Sequence, residues 1–190
     1  MMIRIEDKHF EKQDFSEHKL AKGEYDNCSF ANCIFSNADL SGINFLECKF
    51  SDCNISMAQM AKTALRDVTF KNCKLTGVHF ENCNTFLFSV GFDGCILNLS
   101  SFYKLSLKNT IFKNCNLHEI DFTKTDLSNA TFENCDFTEA TFDRTILEKA
   151  DFRTSYNFSI DPELNKIKKA RFSITGIAGL LDKYNIEIEN

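Results

Sequence analysis

The chain has 190 residues, of which 43% are hydrophobic and 26% charged, and it carries a net charge of −5. That balance excludes a disordered chain, and the mild acidity argues against a protein that grips nucleic-acid phosphates with a basic patch. The apolar content is unusual in kind, with twenty Phe and nine Cys beside no Trp and a single Pro.

The opening residues Met1 to Asp7 show no apolar run of signal-peptide type, and no stretch of the chain approaches the roughly 18 apolar residues of a membrane span. The expectation is a cytoplasmic protein with no membrane contact, whose cysteines stay reduced.

From Phe10 onward a large apolar residue recurs at every fifth position. The series is Phe10, Phe15, Leu20, Tyr25, Phe30, Phe35, Leu40, Phe45, Phe50, Ile55, Met60, Leu65, Phe70, Leu75 and Phe80. The phase then slips by two residues within 84–90, is expected to resume at Leu87, and runs on through Phe92, Leu97 and their successors to Phe152. A period of five fits neither a helix nor a flat strand. It fits a chain that turns a corner every five residues, so that four sides close a coil of about twenty.

Each side keeps its own character from coil to coil. One side reads Phe10, Phe30, Phe50, Phe70, Phe92, Phe112, Phe132 and Phe152. The next reads Phe15, Phe35, Ile55, Leu75, Leu97, Leu117 and Phe137, and the fourth Tyr25, Phe45, Leu65, Leu87, Leu107, Leu127 and Leu147. Residues 1–157 are therefore expected to form an all-β, quadrilateral parallel β-helix of about seven coils, roughly 35 Å long.

Small residues stand two places before most centres, among them Cys28, Cys33, Ala38, Cys48, Cys53, Thr63 and Cys73. A narrow interior holds one large and one small side chain per side. The thiols then act as small hydrophobes, and this reading prevails over a zinc site at Cys28, Cys33, Cys48 and Cys53 or a disulfide ladder. His9, His18, His79 and His118 share no motif with a nucleophile or carboxylate, and no phosphate-binding glycine loop appears. The expectation is a protein that is not an enzyme and that uses no cofactor or metal.

Function is then expected on the outer surface. Phe86 and Phe88 flank the slip, at least one of them exposed, and with Ile96, Leu99 and Tyr103 they form a candidate partner surface. Asp121, Asp126, Asp136, Glu139, Asp143 and Asp151 form a candidate acidic surface, interleaved with Lys124, Arg144 and Lys149.

The lattice is expected to stop near Tyr156, leaving residues 158–190 as a capping segment. Asp161-Pro162-Glu163 carries helix-start signals, and Phe172-Ser173-Ile174 could pair once more with the last coil. Gly176 to Tyr184 is expected to be a short α-helix, with Ile177, Leu180, Leu181 and Tyr184 on one face as a candidate homodimer contact, followed by a strand over Ile186–Ile188.

Units such as Ala38-Asp39-Leu40-Ser41-Gly42 and Ala150-Asp151-Phe152-Arg153-Thr154 resemble the pentapeptide-repeat family, over about residues 8–157. The resemblance implies that the quadrilateral β-helix is right-handed. Asn-Cys-X-Phe/Leu units such as Asn134-Cys135-Asp136-Phe137, and the tail from Ile160 to Tyr184, resemble the quinolone-resistance (Qnr-type) and mycobacterial fluoroquinolone-resistance branch. That branch implies a non-enzymatic mimic of duplex DNA that binds type II topoisomerases, DNA gyrase or topoisomerase IV, and dimerises through its tail. The sequence departs from the branch in having no long projecting loop and no unbroken acidic stripe. The alternative is a scaffold for an unrelated protein partner.

Overall fold

A computed structural model describes residues 3–188. The chain winds as a parallel β-solenoid in which every coil pairs with the next. On the first side the strands His9–Glu11, Ser29–Ala31, Lys49–Ser51, Val68–Lys71, Val90–Asp93, Ile111–Lys113 and Thr131–Glu133 make one parallel sheet. Its register puts Phe10 against Phe30, Phe30 against Phe50, and so on up the column. The Phe rings of this column stack face to face at 4.7–5.4 Å from Phe10 to Phe172. That is the rung spacing itself, so the backbone ladder and the ring stack share one repeat.

The residue two places before each centre also points inward, and there Cys and Thr do the same work. Thr63, Thr125 and Thr145 each donate Oγ1–H to a carbonyl one coil earlier at 2.8 Å. Cys53, Cys95 and Cys135 donate Sγ–H to the corresponding carbonyls at 3.3–3.4 Å. All nine cysteines are free and buried.

Corners set the demand on the outward positions. The residue two places after most centres is left-handed, as at Asn27 (φ 48°), Asn32 (φ 53°) and Lys104 (φ 61°). Asn tolerates that region and Gly occupies it freely at Gly42, Gly77 and Gly94. The residue just before the centre closes the same turn when it is Asp or Asn. Asp39 accepts the Ser41 backbone N–H at 3.0 Å, and Asp121 accepts that of Thr123 at 2.8 Å.

The slip behaves differently from its reading in the sequence. Asn84 still pairs with Ala64 in register, which leaves Thr85 at the nominal centre. Leu87 is not a central residue: it sits at a left-handed corner (φ 56°) and is 65% exposed. Phe88 turns back inward instead, packing edge-on against the Phe80 ring at 6.4 Å. The ladder of the fourth side, Ile3–Glu6, Gly23–Asp26, Asn44–Leu46 and Ala64–Arg66, ends as a strand sheet there, while the first side continues unbroken.

The tail also departs from expectation. Asp161 accepts the Glu163 N–H at 2.8 Å, but only a single turn follows, not a helix. Asn165 is buried in the small inner place, donating to the Phe142 carbonyl at 3.0 Å and accepting from the Thr145 N–H at 2.8 Å. Lys166 then pairs with Ile146 and Arg171 with Asp151, so the coil runs past residue 157 and Phe172 stacks on Phe152 at 5.4 Å. Two short 3-10 turns, Ile177–Leu180 and Asp182–Tyr184, replace the expected α-helix. Gly176 and Gly179 weaken an α-helix, and both lie so close to Phe158 that no side chain would fit. Ile186–Ile188 forms no strand. Lys183 pins the tail with ion pairs to Asp161 at 2.8 Å and Glu163 at 2.7 Å.

Candidate binding surfaces

The interior offers no cleft to chemistry, because a ring or aliphatic side chain fills each level from Phe30 to Phe152 at 3% exposure or less along the first side. Burial pushes the Cys48 and Cys83 thiols up to about 12. Among the described residues no group of His, Cys, Asp or Glu is placed to hold a metal ion. Nor is any helix of the described residues long and apolar enough to cross a membrane. What remains is the outer surface.

The six candidate acids do not gather on one side. Asp151 stands on the first side, Asp136 and the corner residue Glu139 on the second, Asp121 and Asp143 on the third, and Asp126 on the fourth. Five of them are also engaged within the rod, Asp143 only by its neighbour Arg144 at 4.0 Å. Asp121 closes its own turn. Asp126 accepts from Ser128 at 3.0 Å and pairs with Lys108 at 3.2 Å. Asp151 bonds Arg153 at 2.9 Å and Arg171 at 2.6 Å. Burial raises the Asp136 carboxyl, but hydrogen bonds from His118, Asn157 and Thr138 outweigh it and bring it down to about 2.

The candidate apolar residues are likewise divided. Phe86, 64% exposed, projects from the fourth side with the Arg66 guanidinium 5.3 Å over its ring. Ile96 (42% exposed) and Leu99 (54% exposed) lie on the opposite, second side and its corner. Tyr103 is on the third side, its ring flanked by Lys104 at 4.8 Å and Lys124 at 5.7 Å. Phe88 is half-buried against the core. Leu87 and Arg66 are surface features that periodicity missed; the signal available was that a two-residue insertion must push something outward at its tip.

Of the tail residues, Ile177 and Tyr184 are exposed, Leu181 is half-buried, and Leu180 packs on the core. An opening of about 690 Å³ lies beside them, lined by Thr138, Tyr156, Phe158, Gly176 and Gly179.

Comparisons with known proteins follow the architecture. No curated protein sequence matches the chain. Among solved structures, QnrB1, a plasmid-mediated fluoroquinolone resistance protein, is 17% identical, with 96% of this chain and 100% of that chain covered and a TM-score of 0.47. HetL, a pentapeptide repeat protein involved in heterocyst differentiation regulation from the cyanobacterium Nostoc, is 12% identical, with 92% and 88% covered and a TM-score of 0.41. The sequence profile of the pentapeptide repeat region matches residues 23–87 and 85–156, well over half of the chain. The chain therefore belongs to the pentapeptide-repeat family.

Proposed function

We propose that this chain is a non-enzymatic binding protein that presents a duplex-like rod to a type II topoisomerase, DNA gyrase or topoisomerase IV, and thereby confers resistance to fluoroquinolones. The observation that carries the reading is the filled interior: stacked side chains occupy every level, so recognition falls to the outer sides of the rod. A net charge of −5 favours encounter with a basic, DNA-binding groove by electrostatic steering. The Asn-Cys-X-Phe units, as at Asn134 to Phe137, support the choice of branch. The rod itself makes no contact with nucleic acid in this reading, and it works as a homodimer joined through Ile177, Leu180, Leu181 and Tyr184 in the cytoplasm.

A gyrase supercoiling assay with and without a fluoroquinolone tests it. The expected result is inhibition or protection that rises with protein concentration; no effect and no binding at tens of micromolar protein overturns it. For the tail contact, Leu181→Asp is expected to halve the mass in solution, and an unchanged mass leaves the tail as a cap alone. One observation favours a second reading, a scaffold for a different protein: Phe86 and Leu87, 64% and 65% exposed, stand out of the fourth side. A pull-down that recovers a non-topoisomerase partner, lost on Phe86→Ser, would establish it. Phe88→Ser is the wrong variant for that purpose, because Phe88 faces the core.

A further inference from the structure

The fourth side is electrically polar along its length. Its rungs, marked by the residue just before each centre, are Arg4, Glu24, Asn44, Ala64, Asn84, Ser106, Asp126, Ile146 and Lys166. In the four rungs before Asn84 the outward and corner positions hold Glu6, Asp7, Glu24, Asp26, Glu47 and Asp67, with Arg4 and Arg66 as the only cations. Arg4 is itself consumed by Glu6 at 2.6 Å and Asp26 at 2.7 Å. In the four rungs after it the same positions hold Lys108, Lys149, Lys166, Lys168 and Lys169, with Asp126 and Glu148 as the only acids. Asp126 is matched by Lys108 at 3.2 Å, which leaves the lysines nearest the tail in excess.

The middle rung carries the apolar knob. Phe86 is 64% and Leu87 65% exposed, fixed by the Asn84 side chain accepting the Phe86 N–H at 3.0 Å and by Arg66 over the Phe86 ring. A groove lies on either side of the knob. One, of about 460 Å³, is lined by Leu46, Glu47, Arg66, Asp67, Leu87 and Phe88. The other, of about 420 Å³, is lined by Thr85, Leu87, Phe88, Lys104, Leu105 and Ser106.

We propose that the fourth side is a docking surface for a second copy of this chain, laid antiparallel about a two-fold axis through the Asn84 rung. Rotation about that axis sets the Glu6 and Asp7 rung on the Lys166–Lys169 rung, the Glu24 and Asp26 rung on the Glu148 and Lys149 rung, the Glu47 rung on the Asp126 rung, and the Arg66 and Asp67 rung on the Lys108 rung, so the attraction is concentrated at the two ends. It also sets the two Leu87 side chains against each other at the axis, where both are exposed. A parallel pairing would set acid on acid and base on base. A two-fold interface must be self-complementary, and a side that is acidic at one end, basic at the other and apolar at its midpoint meets that condition.

Nine rungs span about 38 Å, and the side is about 13 Å across, which gives about 1,000 Å² for the pair. That is the lower limit for a specific interface, so the dimer is weak and sensitive to salt. This contact is separate from the tail and from the topoisomerase reading. In the pair the two tails lie at opposite ends, so the test is made in the Leu181→Asp background to remove any tail contact.

Leu87→Cys adds one exposed thiol to a chain whose own thiols are all buried. Under mild oxidation it is expected to form a disulfide-linked dimer, about tenfold faster at low than at high salt. Lys74→Cys, on the opposite side, is the control and is expected to stay monomeric. Glu6→Cys mixed with Lys168→Cys is expected to cross-link, and neither alone. Lys168→Glu with Lys169→Glu should abolish the Leu87→Cys dimer, and adding Glu6→Lys with Asp7→Lys should restore it. Cross-linking no faster than the control overturns the proposal, as does same-residue cross-linking at Glu6→Cys or Lys168→Cys. A chain that stays monomeric while its lysines bind a duplex oligonucleotide also overturns it, assigning the basic half to a polyanion.

Discussion

Truncating one ring in the middle of the Phe column tests how the rod is held. Phe112 is fully buried, with Phe92 stacked at 5.1 Å below it and Phe132 at 5.0 Å above. Phe102 and Phe122 touch it edge-on at 6.2 and 6.1 Å. Phe112→Ala loses the transfer free energy of the ring and both stacking contacts and leaves a cavity. Ordinary cores recover part of such a loss by collapsing, and Phe→Ala then costs about 3–5 kcal/mol. Here the parallel ladder on both sides of Ile111–Lys113 fixes the rung spacing, so the walls cannot close. The cost should lie at the upper end, about 4–5 kcal/mol. Phe10 is only partly buried and stacks on one neighbour at 4.8 Å, so Phe10→Ala should cost about half as much. Urea unfolding followed by far-ultraviolet circular dichroism measures both, as a shift of midpoint at constant slope. Equal costs for the two variants, or less than about 2 kcal/mol for Phe112→Ala, would refute a core held by unrelaxable stacking.

Three further outcomes follow from the geometry. Leu99 occupies a left-handed corner (φ 59°) while 54% exposed, so Leu99→Asn should stabilise by about 0.5–1 kcal/mol and raise Tm by about 1–4 °C; a lower Tm would show that the corner is not strained. The Asp136 carboxyl is held down to about 2, below its unfolded value of about 4, so the stability it contributes is complete above pH ~4 and is lost as pH falls through 2. The Tm gap between the wild type and Asp136→Asn should therefore close over that window, and a gap independent of pH would remove the carboxylate from the account. All nine thiols are buried, so a thiol reagent should modify none in the native protein and all nine in urea; one fast-reacting native thiol contradicts the packing.

The five-residue period was legible because a large inward side chain recurs wherever the chain turns, and no other common structure imposes that step. Legibility failed where a residue met the lattice by geometry instead of by type. Leu87 is apolar and in phase with the resumed series, yet it falls on a corner because Asn84 keeps its rung, and Phe88 takes the interior. Asn165 is polar, so the coil looked finished, but its amide bonds two backbone groups and fills the place a Thr or Cys holds elsewhere. Asp161 and Pro162 start a turn that the returning coil cuts short. Composition alone counts the acids as surface charge. Asp121, Asp126, Asp136 and Asp151 instead close turns by accepting a backbone N–H two residues on, a demand of the fold that composition does not separate from a demand of function.

The equal rungs make the length of this molecule a digital quantity. Deleting residues 107–126 would join Ser106 to Leu127, and every inward column would stay in phase, one storey shorter by about 4.8 Å. Deleting eighteen or twenty-two residues there would leave the later chain two residues out of phase, an offset that a corner bulge like the one before Val90 would have to absorb. Even an in-phase deletion is not silent, because the protruding Leu87 rung would no longer divide its side into equal halves. Chain length thus acts as an address: two rods with the same core but unequal counts of storeys either side of the knob would not mate, although each would fold.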